Sequence, residues 1–135
     1  MALKITLKPH ERLILGGAVI ENGDARADFI VENNVPILRQ KDIMGEEDAN
    51  TPCRRIYFVI QLMYIDETGL VNHHNTYWQL VQDVVKAAPS TLVLIDQISE
   101  LILQAKYYQA LKLTRKLIDY EKELLDHALS SSGSV

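Results

Sequence analysis

The sequence predicts an α+β fold, with a small antiparallel β unit first and about four α-helices after it. Three observations carry this. Residues 3–8 alternate apolar and polar with a period of two, turn residues cluster before residue 45, and the apolar spacing lengthens to that of a helix from Thr51 onward. The 135 residues suit one compact domain over 1–129, made of the β unit (1–45) and a helical part (52–129). A chain of this length buries roughly 68–70% of its unfolded surface, enough for a core without covalent staples. The polar residues 130–135 read as a flexible tail.

Each element has its own signal. Leu3, Ile5 and Leu7 alternate with Lys4, Thr6 and Lys8, the pattern of a half-buried strand. Pro9-His10 turns the chain, and Arg12 to Leu15 runs extended until Gly16-Gly17. Ala18 to Ile20, Asn22-Gly23 and Ala27 to Glu32 read as a hairpin, because Asn-Gly supplies the positive φ angles of a tight turn. Pro36 opens a short strand through about Gln40. Thr51-Pro52 then matches a helix start, with Thr as cap and Pro at the first helical position. Cys53, Ile56, Tyr57, Ile60, Met63 and Tyr64 follow at helical spacing, although Ile56 to Ile60 alone would also suit a strand. Gly69 closes that helix and leaves His73-His74 in a loop. Tyr77 to Ala88 makes a second apolar stripe, Ser90 caps a third helix, and a fourth begins near Tyr107. This last helix carries two adjacent stripes, the mark of a broad buried face.

Composition excludes several classes. Hydrophobic residues make up 47% and charged residues 24%, so wholesale disorder is not expected. The longest unbroken apolar run is Ile56 to Ile60, far short of the ~20 residues of a membrane span. The N-terminus has no signal-peptide pattern, so a cytoplasmic location without membrane attachment is expected. A single cysteine, Cys53, leaves no internal disulfide or Cys-x-x-Cys site. Phosphate-loop, dinucleotide, zincin and nucleophile-elbow patterns are missing, so no enzyme, no cofactor and no metal are expected.

The candidate functional residues are basic. Lys4 and Lys8 share the outward face of the first strand, about 13 Å apart at ~3.3 Å per residue. Arg39 and Lys41 share a face where their segment is extended. Both pairs equally suit a solvated edge protected by charge. Arg54 and Arg55 lie in the first helical turn, where cations oppose the helix dipole. Either Glu46, Glu47 or Asp48 neutralises them, or they flank free N–H groups in an anion site. Phe58, one turn after Arg54, adds an aromatic surface on which a base can stack. The net charge of −4 confines any polyanion to a local patch, and residues 1–60 are the less acidic part, with eight Lys/Arg against nine Asp/Glu. The helix at 52–65 is apolar on nearly every side, which predicts self-association as a homodimer.

Four stretches, "LKITLKPHERLILGGAVIENGD", "VPILRQKDIM", "TPCRRIYFVIQLMYID" and "YYQALKLTRKLIDYE", resemble the FlbT family, in order and over nearly the whole chain. These are flagellin-biosynthesis regulators of flagellated alphaproteobacteria. The resemblance implies a post-transcriptional regulator that acts on the 5′ untranslated leader of flagellin messenger RNA, through translation or messenger stability. Such a protein couples flagellin synthesis to filament assembly, some members as repressors and others as activators. It implies no catalytic residues. An alternative is an adaptor that binds flagellin or another flagellar regulator, with only an indirect effect on the messenger. The RNA contacts expected from the basic positions are Lys4, Lys8, Arg39, Lys41, Arg54, Arg55 and Phe58.

Overall fold

A computed structural model describes residues 2–133, with side chains to residue 129. The fold is α+β: five short strands, β1 (Leu3–Leu7), β2 (Arg12–Leu15), β3 (Ala18–Glu21), β4 (Ala27–Val31) and β5 (Ile37–Arg39), precede four helices, α1 (Pro52–Ile65), α2 (Leu70–Ala87), α3 (Leu92–Leu103) and α4 (Tyr107–Gly133). The chain divides into two compact units, residues 1–43 with 65–68, and residues 44–64 with 69–135. The tail expected at 130–135 lies outside the described side chains.

The first unit holds two antiparallel sheets, β1 with β4 and β3-β2-β5. Their inner faces meet in one cluster of Ile5, Leu7, Leu13 and Val31, with Phe29, Val35 and Ile37 packed against it. Alternation in β1 accounts for this, since Ile5 and Leu7 point inward while Lys4 and Lys8 stay exposed. The expected hairpin across Asn22-Gly23 does not form. The hairpin is β2–β3 instead, closing on Gly16-Gly17 with Leu15 opposite Ala18, and Gly16 supplies the positive φ of +61°. Neither Asn22 nor Gly23 takes positive φ. The Asn22 amide donates to the carbonyls of Leu7, Lys8 and Ala25, holding the crossover from β3 to β4 rather than a tight turn. β4 then pairs with β1, far away in sequence.

The second unit is helical. α1 buries Cys53, Ile56, Tyr57, Val59, Ile60, Gln61 and Met63, so nearly its whole circumference is enclosed. Gln61 is buried but satisfied: its amide accepts from Met44 N at 2.8 Å and donates to Met44 O at 3.0 Å. α2 contributes Tyr77, Val81 and Val84, α3 contributes Ile95, Ile98 and Ile102, and α4 contributes Ala110, Leu111 and Leu117. Tyr77 shares a 2.7 Å hydrogen bond with Ser99, tying α2 to α3, and burial pushes its hydroxyl up to about 12. Two local expectations change here. His73 and His74 lie in α2 rather than a loop, because the helix starts directly after Gly69. Ser90 is not the cap of α3. It accepts a hydrogen bond from Tyr120 of α4, while a 3-10 turn over Pro89–Thr91 leads into the helix.

Candidate functional site

Cations converge in the first unit. Lys8 follows β1, Arg26 immediately precedes β4, Arg39 ends β5, and Lys41 sits in the 3-10 turn Gln40–Asp42. With Thr6 and Glu11 they line one cavity of about 510 Å³. Arg39 is held in place, its Nη2 donating to Thr6 O at 2.9 Å and to Glu11 Oε2 at 3.4 Å. Glu11 in turn accepts the Lys8 backbone N–H at 2.9 Å. That bond first, and then the Arg39 guanidinium, hold the Glu11 carboxyl below its ordinary 4.5, so it stays ionised at neutral pH. Arg39 Nε is buried and has no hydrogen-bond partner among the described residues, a charged donor that costs stability until an acceptor reaches it. A concave, positively charged site of this kind concentrates anions even on a chain of net charge −4.

Three of the residues expected from sequence, Lys8, Arg39 and Lys41, therefore come together here. Lys4 is exposed opposite Ile30 of β4 and does not line the cavity. Arg26 carried no signal in the sequence, being a single cation in a polar turn. The β1–β4 register explains its place: Leu7 pairs with Ala27, which brings Arg26 level with Lys8 one step beyond.

The start of α1, in the second unit, is built differently from either sequence reading. Its N–H groups are taken internally. Glu121 of α4 accepts from Cys53 N at 3.0 Å and from Thr51 Oγ1 at 2.5 Å, while Thr51 Oγ1 accepts from Arg54 N at 3.2 Å. A carboxylate thus already occupies the place where a phosphate would sit, and it satisfies the helix dipole. Glu46, Glu47 and Asp48 make no ion pair with either arginine among the described residues. Arg54 rests on neutral Asn50, 2.9 Å from its Oδ1, and the exposed Arg55 side chain has no partner among the described residues. Phe58 is half-buried, so only part of its ring is available for stacking.

Comparison with known proteins covers a range that includes all four of these stretches. The family model described as flagellar protein FlbT matches residues 3–125. The chain belongs to the FlbT family. It is 50% identical over 125 residues to the probable flagellum biosynthesis repressor protein FlbT 1 of Bradyrhizobium diazoefficiens, covering 92% of this chain and 85% of the relative. It is 40% identical over 132 residues to the flagellum biosynthesis repressor protein FlbT of Caulobacter vibrioides, with 96% and 94% covered. A probable repressor of the same name from Rhodopseudomonas palustris is 40% identical over 125 residues, with 93% and 98% covered. No solved structure matches the chain.

Other chemistry in this FlbT protein is sparse. Among the described residues no group of three or more His, Cys, Asp or Glu is placed to hold a metal. His74 Nε2 instead lies 3.1 Å from the Tyr107 hydroxyl. Cys53 is buried, and its thiol is pushed up to about 12 by burial and by the neighbouring Glu121 carboxylate. No helix among the described residues is long and apolar enough to cross a membrane. The second unit also carries an apolar groove of about 670 Å³, where Trp78, Leu92 and Leu103 are partly exposed.

Proposed function

We propose that this FlbT protein regulates flagellin synthesis after transcription, by binding the 5′ untranslated leader of flagellin messenger RNA in the cytoplasm. Binding there changes translation or messenger stability and couples flagellin supply to filament assembly. The role is regulatory rather than catalytic. One observation carries the reading: four cations, Lys8, Arg26, Arg39 and Lys41, around one cavity of an otherwise acidic chain. Its relatives are named as repressors of flagellum biosynthesis, which supports regulation and favours repression as the sign. Lys4, exposed on β1, the exposed Arg55 and the half-buried Arg54 supply further phosphate contacts. Phe58 contributes at most an edge of its ring.

A second reading has its own observation. The apolar groove beside Trp78, Leu92 and Leu103 suits a helix of flagellin, of another flagellar regulator, or of a second copy in a homodimer. In that case the protein is an adaptor and its effect on the messenger is indirect. The two readings separate in one experiment, binding of purified protein to a flagellin leader RNA and to purified flagellin, side by side across salt. RNA binding gives a log–log slope of roughly −0.7 for each single-strand phosphate neutralised. Tight, salt-insensitive flagellin binding with no RNA binding selects the adaptor.

A further inference from the structure

A cavity and a groove hold charge differently. A surface that tracks a nucleic-acid backbone spreads its cations along a line, because each internal phosphodiester carries a single charge. The first unit instead gathers Lys8, Arg26, Arg39 and Lys41 around one concavity that also holds Glu11. Four cations stand against one lining carboxylate, and Asp28, which accepts from the Thr6 hydroxyl at 2.7 Å, adds a second nearby, so positive charge still predominates in the cavity. Its volume of about 510 Å³ falls in the range of small-ligand pockets, about 300–1,000 Å³. Cations crowded this way repel one another, and one group bearing several negative charges offsets that repulsion better than separate diesters do. A phosphomonoester is such a group, with about −1.5 to −2 at pH 7 and three strong acceptor oxygens.

The donors are also arranged for it. Arg39 is fixed through Nη2 by Thr6 O and Glu11, so its guanidinium is presented in one orientation and its Nη1 group is left to donate a charge-assisted hydrogen bond to a phosphate oxygen. Glu11 opposes an anion by its own charge, but it orients Arg39 and is outnumbered by the four cations of the lining. Arg26 is exposed and has no hydrogen bond or ion pair among the described residues, so its charge is available to the cavity.

We infer that this cavity grips the phosphorylated 5′ end of a nucleotide chain, the terminal mono- or polyphosphate, in preference to internal phosphodiesters. The inference rests on the RNA reading above and sharpens it, since a new transcript carries its phosphomonoester or polyphosphate at that end. The same chemistry, phosphate on a nucleoside 5′ carbon, belongs to free nucleotides, and the test separates the two sources.

One leader RNA is prepared with a 5′-triphosphate, a 5′-monophosphate or a 5′-hydroxyl, and its affinity is measured for the full-length protein and for Lys8→Ala with Arg26→Ala. Both side chains are exposed, so the variant keeps the wild-type melting temperature. The expected result is a loss of about tenfold or more from triphosphate to hydroxyl, as one or two charge-assisted hydrogen bonds predict, and no dependence on the end in the variant. Adenosine triphosphate alone serves as the second probe. If it binds the wild type but not the variant while no RNA binds, the cavity is a free-nucleotide site and the RNA reading falls. Equal affinity for all three ends overturns the inference and leaves RNA binding standing. Binding of neither probe overturns both.

Discussion

Replacing Glu121 with alanine should destabilise the second unit far more than loss of an ordinary surface carboxylate. Glu121 is half-buried, and its two oxygens accept from Thr51 Oγ1 and Cys53 N at the start of α1. Hydrogen bonds to a charged acceptor are worth about 1.5–3 kcal/mol each, and loss of a helix cap about 0.5–2 kcal/mol. Because both bonds share one carboxylate, their losses do not add in full, and Glu121→Ala should cost about 2–4 kcal/mol. At about 3–5 °C per kcal/mol for a chain of this size, the melting temperature falls by roughly 10 °C. The assay is denaturant unfolding followed by the fluorescence of Trp78, the single tryptophan, which lies in α2. Thr51→Ala, Glu121→Ala and the double variant form a cycle whose coupling should reach about 1 kcal/mol, against about 0.3–0.5 kcal/mol for independent sites. Glu123→Ala, an exposed neighbour, should stay within about 0.5 kcal/mol of wild type. A Glu121→Ala cost no larger than that of Glu123→Ala, or strict additivity with Thr51→Ala, would refute the cap.

Three further outcomes are expected. Gly16→Ala should cost about 1–2 kcal/mol, because φ of +61° is strained for any residue with a Cβ although the space around it is open. Gly23→Ala should be close to neutral, with no such φ and no neighbour within 4 Å, and equal costs in denaturant melts would reinstate the Asn22-Gly23 hairpin. Cys53 should resist alkylation at pH 8 in the folded protein and react once unfolded, since its thiol stands at about 12; rapid native labelling followed by mass spectrometry would contradict the burial. Glu11 has its carboxyl lowered by folding, so it contributes stability above its ordinary 4.5 and loses that contribution as pH falls through the lowered value. Melts of Glu11→Gln should therefore show a shallower acid destabilisation than wild type below about pH 4.5, and identical acid limbs would argue against the Glu11–Lys8–Arg39 arrangement.

Local patterns in the sequence were legible wherever a segment decides its own conformation. Alternation from Leu3 to Lys8 specifies β1 and its outward lysines, and Thr51-Pro52 specifies both the start of α1 and the Thr51 cap on Arg54 N. What a segment pairs with is another matter. Asn22-Gly23 carries the same turn signal whether its backbone makes a hairpin or its side chain braces a crossover, and the β1–β4 pairing that decides between them is not local. The same limit hid Arg26, whose nearness to Lys8 depends wholly on that register. It also hid Glu121, about 70 residues from the helix start that it caps, whereas Glu46, Glu47 and Asp48 are near in sequence but make no ion pair with the arginines among the described residues. His73 and His74 lie in α2 rather than in a loop for a different reason. Gly69 ends one helical stretch, but its absent side chain does not prevent α2 from starting at the next residue.

The central claim is that leader RNA is held through the cation cavity of the first unit. Its most direct test is the salt dependence of leader-RNA affinity for wild type, for Lys8→Ala with Lys41→Ala, and for Lys112→Ala with Lys116→Ala on α4 as the control. The cavity variant should bind about tenfold or more weakly and lose about 0.7 from the magnitude of the log–log slope for each phosphate contact removed, at an unchanged melting temperature. The control pair should leave both affinity and slope close to wild type. Equal affinity and slope in the wild type and the cavity variant would contradict the claim.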